Sequence, residues 1–131
     1  MKARLYISVE GGAFKPEPFH FEAAKSLPGQ VRRRKHTGAP LANVPLEYWA
    51  SNEKVVAPED VGDALRPMLE IALPLLEPHS KASDTRVCVH IVFEFKQGEE
   101  PIGMNLSRET LSLLDRIGAE LDVDAVPTVS T

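Results

Sequence analysis

The 131-residue chain has little cysteine and no long apolar run, and both absences narrow what it can be. Its one cysteine, Cys88, excludes an intramolecular disulfide and a cysteine-based zinc cluster, and it favours a reducing compartment. No apolar stretch approaches the roughly eighteen residues of a membrane span. The residues after Met1 do not form the apolar run of a secretion signal. We therefore predict a cytoplasmic protein with no membrane contact.

The sequence also lacks the short motifs that accompany nucleotide, zinc and serine-hydrolase chemistry. It has no phosphate-binding glycine loop, no dinucleotide fingerprint, no metalloprotease zinc helix and no nucleophile elbow. Its formal net charge is −4, whereas dedicated nucleic-acid-binding proteins are usually basic overall. We therefore expect no cofactor and no nucleic-acid partner, and a non-enzymatic role is favoured without an enzyme being excluded.

What remains is the composition of an ordinary globular protein, with 43% hydrophobic and 26% charged residues. A chain of this length can bury a core without a disulfide or a metal. We expect one domain over residues 1–131.

Hydrophobic periodicity predicts the elements of that domain. Alternation predicts strands at residues 3–9, 46–51, 86–96 and 121–125, and helical spacing predicts helices at residues 17–27, 58–76 and 107–117. Pro67 is expected to kink or split the second helix, and Pro74 to lie past its end. The third helix should have Ser107 as its N-cap, Gly118 as its C-cap, and its core face at residues 111, 114 and 117.

Helices that alternate with amphipathic strands of antiparallel character predict an α+β fold. We expect a single, mostly antiparallel sheet with two to three helices packed on one face, as in a ferredoxin-like sandwich. The other face of the sheet should be partly open.

The two ends of the chain also carry a family pattern. Residues 103–107 read Gly-Met-Asn-Leu-Ser, and residues 118–124 read Gly-Ala-Glu-Leu-Asp-Val-Asp after a leucine-rich helix. The opening Arg-Leu-Tyr-Ile-Ser of residues 4–8, a Pro-Glu pair at residues 16–17 and Trp49 add to it. Together they resemble the bacterial family called domain of unknown function (DUF) 4279. The resemblance implies a compact α+β domain and no particular activity.

A run of five basic residues is the sharpest local feature: Arg32, Arg33, Arg34, Lys35 and His36. Adjacent cations repel, so a folded protein keeps them solvated or paired. One interpretation is an anion site that binds an acidic protein partner, a phosphate ligand or, less in keeping with the acidic chain, a nucleic-acid backbone. The other is a solvated edge strand whose charges discourage edge-to-edge aggregation.

The outward face of the sheet offers a second set of candidates. If the strands pair side by side, His90, Glu94, Asp122 and Asp124 could ligate a metal. Ser8, His90 and an aspartate would supply the residue types of a hydrolase triad, although no elbow motif accompanies them. Alternating polar residues are also what any solvent-facing sheet shows.

These candidates leave two functional hypotheses. The first is a non-enzymatic protein-interaction module, of an immunity or regulatory type, that uses the basic run, the open face or an exposed aromatic such as Trp49. Such a face would also allow a homodimer. The alternative is a small-molecule- or metal-binding enzyme that uses the open sheet face.

Overall fold

The computed structural model of the chain describes the backbone of residues 1–11, 21–24, 31–33, 40–45, 48–51, 53–83, 85–100 and 103–128. Side chains are described for residues 1–11, 50–51, 53–83, 85–100 and 103–128. The strands are β1 (Lys2–Glu10), β2 (Phe21–Ala24), β3 (Val31–Arg33), β4 (Pro40–Pro45), β5 (Tyr48–Ser51), β6 (Lys54–Val56), β7 (Arg86–Phe95) and β8 (Ala119–Pro127). The α-helices are α1 (Val61–Leu76) and α2 (Arg108–Ile117), and α1 is flanked by 3-10 turns at Pro58–Asp60 and Glu77–His79.

The main sheet has the strand order β2-β5-β1-β7-β8, with β6 also paired to β1. All pairs in it are antiparallel except β7 with β8, which are parallel. Strands β3 and β4 form a separate antiparallel pair. The predicted α+β fold with a mostly antiparallel sheet is confirmed, and the parallel pair at the end of the sheet is an addition to it.

The edge of β1 that faces away from β7 forms hydrogen bonds with two short strands and one side chain. It pairs with β5 through Ser8–Glu10 and with β6 through Ala3–Leu5. Between the two, the Ile7 N–H donates to Ser51 Oγ at 2.9 Å. The Ser51 hydroxyl therefore takes the place of a strand carbonyl in the gap between β5 and β6. The buried N–H of Ile7 keeps a hydrogen-bond partner in this way.

One hydrophobic core lies between the sheet and the two helices. Inward residues of β1 and β7 alternate with half-buried or polar ones, as the sequence predicted. The fully buried large side chains are those of Leu5, Val9, Val61, Leu65, Leu69, Leu76, Val87, Val89, Ile91 and Ile117. Both helices contribute to this one cluster, so they pack on the same face of the sheet. Neither α1 nor α2 is long and apolar enough to span a membrane.

Helix α2 begins and ends as predicted but is rotated relative to the predicted core face. Ser107 Oγ accepts from the Thr110 N–H, and Gly118 takes the left-handed conformation at φ 71°. Leu114 and Ile117 are buried as expected, but Leu111 is 52% exposed. Thr110 and Leu113 are buried instead, because the face that meets α1 is displaced by one residue.

Helix α1 runs without interruption through both prolines. Of the two effects expected of Pro67, a split is therefore wrong, as is the expected end before Pro74; a kink at Pro67 stays a prediction. Both prolines are exposed, so the carbonyls of Asp63 and Glu70, which lose their i+4 donors, lie on the solvent side. Water can satisfy these acceptors, and the buried stripe of the helix keeps its packing.

The predicted first helix is wrong where the structure describes it. Phe21–Ala24 forms β2, which pairs antiparallel with Tyr48–Ser51 at one edge of the sheet. A short apolar run does not distinguish strand from helix by its periodicity. The neighbouring strand decides here, because pairing gives the backbone groups their partners.

Exchange of leucine for alanine tests the observed face of α2. Leu114→Ala removes a side chain that is only 7% exposed and should lower the free energy of unfolding by about 2–4 kcal/mol. Leu111→Ala should change it by less than about 0.5 kcal/mol, because that side chain is already in solvent. Urea denaturation of both variants measures the difference, and equal losses would contradict this orientation of α2.

Gly62 supplies a second, sharper test of packing. A Cβ at Gly62 would lie 2.7 Å from the backbone oxygen of Asn105, the segment that leads into α2. Alanine usually stabilises a helix relative to glycine, but here it should cost about 1–3 kcal/mol, because the clash is with backbone. Gly103→Ala is the control, since nothing lies within 4 Å of its Cβ position. Thermal unfolding of both variants checks the prediction, and a stabilised Gly62→Ala would refute it.

Candidate functional site

The face of the sheet that points away from the helices gathers the polar side chains of three strands. Strand register places Ser8 opposite Cys88 and Tyr6 opposite His90 across β1 and β7. The parallel β8 then places Asp122 beside His90. Since cross-strand partners share a face, Ser8, His90 and Asp122 lie in one band across the sheet.

Ser8, His90 and Asp122 are joined through opposite ends of the imidazole. Ser8 Oγ lies 2.7 Å from His90 Nε2, and His90 Nδ1 lies 3.4 Å from Asp122 Oδ2. The ring of Tyr6 stacks on the imidazole with centroids 4.3 Å apart and planes 9° apart. Ser8 is buried at 3% exposure, whereas the side chain of Asp122 is 52% exposed. The imidazole is therefore held at both nitrogens and on one face.

A depression of about 410 Å³ opens beside this band. Its lining residues are Ser8, Glu10, Arg86, Cys88, His90, Glu120, Leu121 and Asp122. The guanidinium of Arg86 is paired with Glu120, with Nη2 2.6 Å and Nε 2.9 Å from the same carboxylate oxygen. This hydrogen bonding raises the pKa of Arg86. Carboxylates outnumber cations around the depression, so it favours neutral or cationic ligands.

Cys88 lies in the same depression but is a poor nucleophile at neutral pH. Burial, reinforced by the carboxylates of Asp122 and Glu120, raises the pKa of its thiol from 9.0 to about 11. The thiolate is the reactive form of cysteine. Cys88 therefore acts as a small, protonated packing residue, as buried cysteines commonly do.

The four candidate metal ligands do not form one cluster. His90 and Asp122 are adjacent, and Asp124 follows on β8. Glu94 is four residues beyond His90 on β7, or roughly 13 Å along the strand, and it pairs with Arg4 at 2.8 Å and Lys2 at 3.3 Å. No group of three or more histidine, cysteine, aspartate or glutamate side chains suited to a metal ion occurs among the described residues.

The basic run and Trp49 stay predictions. Arg32 and Arg33 lie in or at the end of β3, which pairs with β4, and Trp49 lies in β5 opposite Val9. Their side chains are outside the described part of the chain, as are residues 34–36 entirely. The edge-strand interpretation is consistent with the backbone of β3, and the binding interpretation stays a hypothesis.

Strand β8 is exposed over most of its length. From Leu121 to Pro127 every residue is exposed, including Leu121 at 39%, Val123 at 45% and Val126 at 42%. Leu121 and Val123 lie on the helix side, in register with the buried Val89 and Ile91. The helices cover β7 on that side but leave β8 exposed from Leu121 onward.

The outer edge of β8 presents backbone groups that have no strand partner among the described residues. Thr128 N–H donates to the Phe95 carbonyl at 2.7 Å, so its backbone faces β7. Backbone direction alternates along a strand, so residues 121, 123 and 125 direct their N–H and C=O groups to the opposite, outer edge. Within the ranges that the structure describes, no strand pairs with that edge.

The sequence named Ser8, His90 and an aspartate as residue types that could meet, but not which aspartate or the order of the contacts that join them. It missed the Tyr6 stack, the Arg86–Glu120 pair and the exposed edge of β8. The alternation of β1 and β7 was a usable signal for the Tyr6 stack alone, because the Arg86–Glu120 pair depends on β8 lying beside β7. No local signal indicates that β8 is at the edge of the sheet.

Over the residues that the structure describes, these features define an α+β protein with a mixed sheet, two helices on one face and a polar band with a shallow depression on the other. The sequence matches the family model described as Domain of unknown function (DUF4279) over residues 25–127, which is well over half of the chain. The chain therefore belongs to the DUF4279 family, as the sequence pattern predicted. No curated protein and no solved structure matched it.

The raised pKa of Cys88 predicts slow, strongly pH-dependent alkylation. At pH 8 the folded protein should react with iodoacetamide roughly a hundredfold more slowly than the protein in urea, because far less thiolate is present. The rate should rise steadily towards pH 11. Since the folded-state pKa lies above the unfolded value, stability should be unaffected below pH 9 and decline as the pH rises from 9.0 to about 11.

Mass spectrometry of the alkylated protein measures this rate, and Cys88→Ser provides the blank. A folded rate at pH 8 equal to that of the unfolded chain would contradict the half-buried, carboxylate-flanked position of Cys88.

Proposed function

We propose that this protein is an interaction module that binds an extended segment of a partner protein along the outer edge of β8. The observation that carries the proposal is the exposure of β8 on both faces together with an unpaired edge in the described sheet. An edge of this kind is a template for an added strand, because its N–H and C=O groups have no partner. Folded proteins usually shorten or cover such an edge.

The side chains of β8 indicate what kind of segment would fit. The face of β8 towards the helices carries the apolar Leu121, Val123 and Ala125. The opposite face carries the acidic Glu120, Asp122 and Asp124. A partner strand with apolar residues on one face and lysine or arginine on the other would complement both rows. A second copy paired antiparallel through β8 would oppose acidic rows, which is destabilising. A basic, amphipathic strand is therefore the favoured partner.

The length of β8 supports specific recognition of a partner strand over non-specific binding. Residues 121, 123 and 125 direct their backbone N–H and C=O groups to the outer edge and so offer successive donors and acceptors. Pro127 lacks the N–H that would be next in this series. The proline thus limits the added strand at one end. Main-chain hydrogen bonds would give the affinity and the two side-chain rows the specificity.

The basic run Arg32–His36 supports a second contact of the same module. It would bind an acidic region of a partner through charge-assisted hydrogen bonds. The basic run and the acidic face of β8 carry opposite charges. A partner with one basic and one acidic segment would therefore complement both. Alanine replacement of Arg32, Arg33 and Arg34 tests this contact separately from β8.

A proline at Ala125 tests strand addition. The probe is a synthetic ten-residue peptide with alternating valine and lysine, labelled for fluorescence anisotropy. Ala125→Pro removes an outward N–H and should weaken binding by about tenfold or more, whereas Ala125→Val, which keeps the N–H, should not. Because that N–H faces away from β7, the proline should leave the fold intact, which circular dichroism checks.

Two further results would bear on the proposal. Amide exchange at residues 121, 123 and 125 should slow when the peptide binds, and added salt should weaken binding because Asp122 and Asp124 face the lysines. Equal binding by both Ala125 variants, or exchange protection elsewhere on the protein, would refute the β8 edge as the contact.

A further inference from the structure

We propose that Ser8 is an activated nucleophile, with His90 as its general base and Asp122 as a positioning residue, in a site that accepts small, activated carboxylic esters. The geometry that points to this is the order of contacts: Ser8 Oγ to His90 Nε2 at 2.7 Å, and His90 Nδ1 to Asp122 Oδ2 at 3.4 Å. This is the connectivity of a serine-hydrolase triad, in which each imidazole nitrogen has a separate task.

The rest of the site supports an imidazole that is fixed in place. Tyr6 stacks on one face of His90, and the strands of both residues are locked by the ladder between β1 and β7. A general base must be held within hydrogen-bond reach of the proton it takes, and Ser8 satisfies that distance before any ligand binds. The depression beside the band leaves room for a ligand of a few heavy atoms next to Ser8.

The chemistry divides into two balanced steps. Ser8 Oγ attacks the ester carbonyl carbon while its proton moves to His90 Nε2; the C–O bond to the alcohol then breaks, and the same proton passes to the leaving oxygen. The products are acyl-Ser8 and the free alcohol. Water, deprotonated by His90, next attacks the acyl group, and Ser8 leaves with that proton, so that a carboxylic acid is released.

The surroundings restrict the substrate class. The backbone donors of β1 and β7 are used in the sheet ladder, so a side chain has to stabilise the oxyanion, and Arg86 is the guanidinium that lines the depression. Loss of one oxyanion-hole donor costs on the order of 10²–10³ in rate in other hydrolases. The site should therefore turn over activated esters and leave amides untouched. Glu10, Glu120 and Asp122 disfavour anionic esters.

The test is covalent labelling with a fluorophosphonate probe, followed by peptide mass spectrometry of the full chain. The wild-type protein should carry one adduct, on Ser8, and should hydrolyse p-nitrophenyl acetate with a burst of one equivalent. Ser8→Ala should abolish both, whereas Ser112→Ala, at an exposed position on α2, should change neither. Absence of an adduct on the folded wild-type protein overturns the proposal.

Two further variants separate catalysis from structure. His90→Gln should slow labelling by about a hundredfold or more, since a general base typically contributes 10²–10⁴. Asp122→Asn should lower the maximal labelling rate by about tenfold and change the half-saturating concentration of the uncharged probe far less, because Asp122 acts through His90 and asparagine keeps its size at the wall of the depression. Unchanged labelling in His90→Gln would show that Ser8 is not activated. Peptide binding at the β8 edge is measured separately and does not depend on these results.

Discussion

The antiparallel pairing of β1 with β7 is the interaction on which the rest of the structure depends. It runs in unbroken register from Lys2 opposite Glu94 to Glu10 opposite Arg86. Because side chains alternate along both strands, this one register puts Leu5, Ile7, Val89 and Ile91 against the helices. The same register brings Ser8 to His90 on the other face. A slip of one residue would exchange the faces of the strand and lose the core and the polar band together.

The β7–α2–β8 connection then decides what the polar band contains. Helix α2 crosses over the sheet and returns the chain parallel to β7, so that Asp122 lies beside His90 and Glu120 within reach of Arg86. The caps at Ser107 and Gly118 fix where α2 starts and stops. The same crossover leaves β8 at the edge of the described sheet, beyond the cover of α1 and α2. One connection therefore produces both the triad-like band and the exposed strand.

Much of the core architecture could be read from local pattern. β1, β7, α2 and its two caps were predicted within a residue or two, because alternation, helical spacing and capping are local properties. The prediction failed at Leu111, where the contact with α1 selects the face, and at Pro74, where an exposed proline is tolerated in a well-packed helix. It also failed for Phe21–Ala24, where pairing with β5 outweighs a weak helical pattern. Each of these outcomes depends on a distant neighbour.

The sequence by itself determined which residues of β1 and β7 face inward, where α2 begins and ends, and which family the chain resembles. Those properties follow from backbone geometry and side-chain periodicity within single segments. Only the tertiary structure decided that β8 runs parallel to β7, that Asp122 meets His90, and that Glu94 pairs with Arg4 away from them. Strand order and register bring together residues that are up to 114 positions apart, as Ser8 and Asp122 are, and no local pattern encodes that distance.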